Sequence, residues 1–169
     1  QTLALRKNNV IADIYGLCEW YKDRNDFKGG GNMTQKTCEK CDGAVAYFHL
    51  PGLFEFYGLY SLFLPLFYNH REYFCDWCEI GSIYGAPADC LWGGGRVGFG
   101  DDEAEKVLRL TQKYGISARL TFSNSLIKQE HLSDRKCNRL CEMFSESKAV
   151  PNGVIICSDL LLEYIGKNY

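Results

Sequence analysis

The sequence predicts an α/β fold: a partial (βα)8 TIM-barrel-like domain of about four βα units with parallel strands. Three observations carry this. From Ala44 to Tyr169, short apolar runs alternate with longer stretches of helical periodicity. One helix's length of chain separates each run from the next, which is what a parallel crossover requires. Runs such as Val154-Ile155-Ile156 are also apolar throughout, as strands covered on both faces must be.

The elements follow in order. Ala44–Leu50 (AVAYFHL) reads as the first strand, broken by Pro51-Gly52. The apolar stretch 53–69 reads as a largely buried helix. Glu79–Gly85 (EIGSIYG) is the second strand, followed by a long glycine-rich loop. Asp101-Asp102-Glu103 then offers cap and dipole chemistry for a helix that Gly115 ends in a left-handed turn. Ile116–Phe122 is the third strand. Ser133 is placed to cap a helix whose Cys137, Leu140, Cys141 and Phe144 share one apolar stripe. Gly153–Cys157 is the fourth strand, and Ser158 or Asp159 caps the last helix. In parallel sheets of this kind, ligands meet the carboxyl ends of the strands. That rule selects His49 after strand one, Tyr84 after strand two, Asn124 after strand three and Ser158 after strand four.

The whole chain excludes several classes. An apolar share of 46% and an aromatic share of 14% are those of a folded, cored domain. A net charge of -2 provides no basic field, so no nucleic-acid partner is expected. Nine cysteines without a secretory leader pattern suit reduced thiols and a cytoplasmic location. The longest apolar stretch, Leu50 to Tyr68, is interrupted by Gly52, Glu55, Gly58 and Pro65 and lacks basic flanks, so no membrane span is expected.

Residues 1–32 read differently from 33–169. Gly29-Gly30-Gly31-Asn32 directly precedes Met33, as a ribosome-binding site translated in frame would. Residues 1–32 are therefore expected to be an N-terminal extension of translated upstream sequence, with 33–169 the N-terminal half of the barrel-like domain. The rival reading is an amphipathic helix, Val10 to Tyr21, followed by a glycine linker.

Two motifs suggest chemistry. Gly93-Gly94-Gly95-Arg96-Val97-Gly98 matches G-x-G-x-x-G, but a long loop separates it from the next helix and no acid ends the following strand. Both features argue against a dinucleotide. Glycines here let the backbone approach a ligand, with Arg96 as an anion clamp or a structural ion-pair partner. Cys38-x-x-Cys41 and Cys75-x-x-Cys78 together supply four thiolates, enough for a structural zinc, unless they are simply buried cysteines. Both pairs precede strands, so such a zinc would sit opposite the ligand side.

Phe48-His49-Leu50-Pro51-Gly52-Leu53-Phe54-Glu55, then Tyr84-Gly85 and Trp92-x-Gly94-Gly95-Arg96, resemble the motifs of a poorly characterised bacterial family of TIM-barrel-like proteins. Phe122-x-Asn124, His131-Leu132-x-Asp134-x-x-Cys137-Asn138 and Asn152-x-x-Ile155-x-x-Ser158 continue the likeness. That family is distantly similar to the collagenase-like peptidase barrels. The resemblance implies a chain running on past Tyr169, and adds Trp92, Gly94, Gly95, Asp134 and Asn138 to the substrate-binding candidates.

The expectation is an enzyme of hydrolase or lyase type, acting on a small polar or peptide-like substrate. His49 would be the acid or base and Arg96 the anion holder, with Tyr84 beside them. Asn124, Asn138 and Ser158 would complete a hydrogen-bonding ring. The alternative is a non-catalytic binding or assembly module, zinc-stapled or not. A half-barrel leaves strand edges exposed, so if the chain is complete it is expected to form a homodimer.

Overall fold

The computed structural model describes residues 45–94, 104–147 and 150–169. The boundary at residues 32 and 33 lies outside them, as does the acidic opening Asp101-Asp102-Glu103. The described chain alternates β1 (Ala46–Pro51), α1 (Tyr57–Asn69), β2 (Cys78–Gly85), α2 (Ala104–Lys113), β3 (Ser117–Phe122), α3 (Arg135–Ser145), β4 (Gly153–Ile156) and α4 (Asp159–Asn168). Single 3-10 turns at Arg71–Tyr73 and Gln129–Ser133 precede β2 and α3.

All four strands pair in parallel, in the order β1-β2-β3-β4. This order is informative. A doubly wound sheet reverses direction at a switch point. A sequential order with right-handed crossovers instead places every connecting helix on the same face. The architecture is therefore that of a partial (βα)n unit, with one face under helices and the other left open by the described residues.

The burial pattern agrees. On β3, Ala118, Leu120 and Phe122 are each at 0% exposure, while Ser117, Arg119 and Thr121 alternate with them and stay half-buried. Ile83 of β2 joins the covered face opposite Ala118. Beneath it lie Leu64, Val107, Leu108, Leu140, Phe144, Leu161 and Ile165, one or two from each helix. Burying each such side chain contributes about 1.5–3 kcal/mol. This layer holds the domain together.

The apolar segment after β1 differs from expectation in two ways. The helix begins at Tyr57, after a turn made by Leu53–Phe56. Nor is it largely buried. Tyr60, Leu64 and Phe67 face inward, whereas Leu59 (59%), Leu62 (76%) and Leu66 (45%) face outward. A helix lying on one side of a sheet can bury only one stripe, however apolar its remaining faces are. No helix among the described residues is long and apolar enough to cross a membrane.

Glycine solves two local problems. A side chain on Gly85 would bring its Cβ within 2.7 Å of the Leu53 backbone nitrogen, which donates to the Tyr84 carbonyl at 3.0 Å. Only glycine lets the chain leaving β1 cross β2 so closely. Gly115 adopts φ +66° and ends α2 in the left-handed turn the sequence predicts. The cap of α3 is a correction: Asp134, not Ser133, is the N-cap, accepting from the Cys137 N–H at 2.8 Å. The Ser133 hydroxyl instead donates to the Glu130 carbonyl inside the preceding turn.

Candidate functional site

The open face of the sheet gathers the polar side chains. In register, His49 lies against Ser82, and Tyr84 lies between Pro51 and Arg119. Thr121 follows Arg119 two residues on, opposite Ile155 of β4. The pairing between β1 and β2 shifts between Phe48 and His49, leaving Gly81 as an extra residue. Such a bulge re-aims the side chains around it. A Cβ on Gly81 would stand 2.9 Å from His49 Cε1 and 3.1 Å from Tyr47 Cβ, so the bulge makes room for the imidazole.

His49 Nδ1 and Ser82 Oγ are hydrogen-bonded at 2.6 Å. Ser82 is completely buried, and it pins the ring from beneath. Burial, and secondarily the Arg119 guanidinium, hold the imidazole pKa below its ordinary 6.5. His49 is thus neutral at pH 7, with Nε2 on the side away from Ser82. If Nδ1–H donates to Ser82, Nε2 is a free base; if Ser82 donates, Nε2–H is a donor. Among the described residues no carboxylate forms an ion pair with Arg119. Among the described residues, the buried Thr121 hydroxyl has no hydrogen-bond partner.

The structure brings His49 and Tyr84 to this face and takes most other candidates elsewhere. Trp92 is at 0% exposure, edge-on to Phe122, and its indole N–H donates to the His131 carbonyl at 2.8 Å. Asn124 Nδ2 donates to the Leu91 carbonyl and its Oδ1 accepts from the Leu126 N–H, both at 2.9 Å. It straps the loop after β2 to the loop after β3. Gly94 turns that loop at φ +89°. Asp134 is a helix cap, as above. Ser158 is another, its Oγ accepting from the Leu161 N–H at 3.4 Å.

Asn138 lies on the helical side of the sheet, so the expected ring of Tyr84, Asn124, Asn138 and Ser158 is not brought together. Its Nδ2 donates to the Leu132 and Asp134 carbonyls, and its Oδ1 accepts from the Tyr164 and Tyr169 hydroxyls at 2.9 and 2.8 Å. Its Oδ1 thus joins α3 to the end of α4, while its Nδ2 is held by the turn that opens α3. Arg96, Gly95, Cys38 and Cys41 lie outside the described residues. Cys75 and Cys78 flank the start of β2, where the Cys78 N–H donates to the Cys75 carbonyl at 3.0 Å. Among the described residues no group of three or more His, Cys, Asp or Glu could hold a metal ion.

Arg119, Ser82 and Thr121 escaped the sequence reading. The signal for two of them was present: in Ser-Ala-Arg-Leu-Thr-Phe, polar and apolar residues alternate with period two. Ser82 was hidden by the Gly81 bulge, which breaks that alternation in β2.

Comparison with known protein families, with curated proteins and with solved structures finds no match.

Proposed function

We propose that the chain forms part of a bacterial, cytoplasmic, TIM-barrel-like enzyme of hydrolase or lyase type, akin to the peptidase-like barrels. Its substrate is small and polar, or peptide-like. The observation that carries this reading is a neutral His49, pinned by Ser82 on the open sheet face and within electrostatic reach of the Arg119 guanidinium two strands away. A neutral imidazole at pH 7 can take up or deliver a proton at Nε2. An arginine without a carboxylate partner can hold a substrate carboxylate or a developing oxyanion through its fork of N–H groups. Arg119 thus takes the anion-holding role that the sequence suggested for Arg96, and Tyr84 lies next to it in register. Ser82 is completely buried beneath the ring, which fits an orienting residue better than a nucleophile.

The test compares wild-type chain with His49→Gln and Arg119→Met against a panel of peptide amides, small esters and hydroxy acids. Loss of turnover in both variants at unchanged melting temperature is the expected result. Equal turnover in His49→Gln would sink the acid–base role.

A second reading, a non-catalytic assembly module, is favoured by the outward apolar stripe Leu59, Leu62 and Leu66 on α1. Sedimentation of the chain beside Leu62→Lys distinguishes it, since a dimer formed through that stripe would dissociate in the variant.

A further inference from the structure

Two cysteines used by neither reading meet inside the covered half of the domain. Cys90 lies in the loop after β2 and Cys137 in the first turn of α3, 47 residues apart in sequence. Their sulfur atoms are 3.3 Å apart, and the two residues are 1% and 0% exposed. The surroundings are unequal. The Gly93 N–H donates to the Cys90 carbonyl at 3.0 Å, and the Cys137 N–H donates to Asp134 Oδ1 at 2.8 Å.

We propose that Cys90 and Cys137 are a redox site: a dithiol that a hydroperoxide converts reversibly to an intramolecular disulfide. The asymmetry assigns the roles. The hydrogen bond between the two sulfurs, in which either thiol can be the donor, draws the Cys90 pKa below its ordinary value. The same bond, together with burial, raises that of Cys137. Cys90 is therefore the attacking thiolate. Its sulfur bonds to one peroxide oxygen as the O–O bond breaks, giving Cys90 sulfenic acid; the departing hydroxide takes up the proton that Cys90 released on forming the thiolate and leaves as water. The Cys137 sulfur then displaces the sulfenic oxygen, which leaves as a second water carrying the Cys137 proton. Two thiols lose two electrons in all, and one peroxide becomes two waters. Complete burial favours an oxidant of about water size. The bond formed would tie the loop after β2 to the first turn of α3, at the carboxyl edge of the sheet.

The test uses the full-length chain, reduced, freed of reductant, treated with hydrogen peroxide, alkylated under denaturing conditions and digested without reduction. A peptide containing Cys90 is expected linked to one containing Cys137, lighter by two hydrogens and separated again by dithiothreitol. Cys141→Ala and Cys157→Ser should retain the linkage, whereas Cys90→Ala and Cys137→Ala should lose it. The proposal is overturned if both thiols stay alkylatable while the exposed Cys157 oxidises. It is equally overturned if urea-unfolded chain gives the same linkage in the same yield, or if Cys90 is joined to another cysteine. Wild-type linkage mapping decides the matter by itself, so a variant that fails to fold does not obscure the result.

Discussion

The two faces of one strand, β3, set the terms for this molecule. Ala118, Leu120 and Phe122 are sealed under helices, while Ser117, Arg119 and Thr121 point the other way and stay half-buried. The covered face is built from close packing. The open face has a cation without a carboxylate partner among the described residues, a buried hydroxyl without a hydrogen bond and a neutral histidine, an arrangement that adds little to stability. A fold spends strength on one face and keeps chemistry on the other. The comparison makes a rule: substitutions on the covered face should cost stability, and those on the open face should alter titration and binding.

The largest expected effect is Trp92→Ala, which removes the buried ring and its hydrogen bond to the His131 carbonyl. It should destabilise the domain by about 3–5 kcal/mol, read from urea unfolding. A cost below about 1 kcal/mol would break the comparison at its strongest point. Gly85→Ala comes next, because the added methyl meets Leu53 backbone at 2.7 Å and backbone cannot swing aside. About 1–3 kcal/mol is expected. Asp134→Ala should cost about 1 kcal/mol through the lost cap on α3, with turnover unchanged once folding is restored. A specific loss of turnover there would return Asp134 to the site.

Arg119→Met tests the open face. Its effect on unfolding should fall within about 0.5 kcal/mol, the range of ordinary surface substitutions. NMR titration should nonetheless show the His49 pKa rising part of the way toward 6.5, since burial, the larger cause, remains. The same shift makes stability pH-dependent. The folded His49 binds its proton less readily than the unfolded chain does. Stability contributed by the neutral ring is therefore complete above about 6.5 and declines as pH falls through that value toward the lower folded pKa. His49→Gln should flatten this part of the stability profile. Smallest of all, Thr121→Val should be neutral or slightly stabilising, because it removes a buried hydroxyl that no partner among the described residues satisfies.

Much of this was legible from the chain alone. Four strands fall within two residues of their expected bounds, and the stripe Cys137, Leu140, Cys141 and Phe144 is buried as its spacing requires. Gly115 and Ser158 act as the cap residues their positions suggest. These features are local. Hydrophobic period, glycine at positive φ and a hydroxyl before a helix act within a few residues, so the order of the sequence contains them.

Tertiary structure decided which polar residues meet. Asn124 by its position, and Asn138 and Trp92 by the motif resemblance, were expected ligand contacts, yet loop strapping, helix joining and the core consume them. Arg119 came to His49 through a register set two strands away, and Ser82 through a one-residue bulge at Gly81. Cys90 and Cys137 met across 47 residues of intervening chain. Strand order, register and burial are properties of the assembled sheet, fixed by packing of distant segments. Spacing along the chain determined the βα alternation; the pairing of those segments in space determined the chemistry.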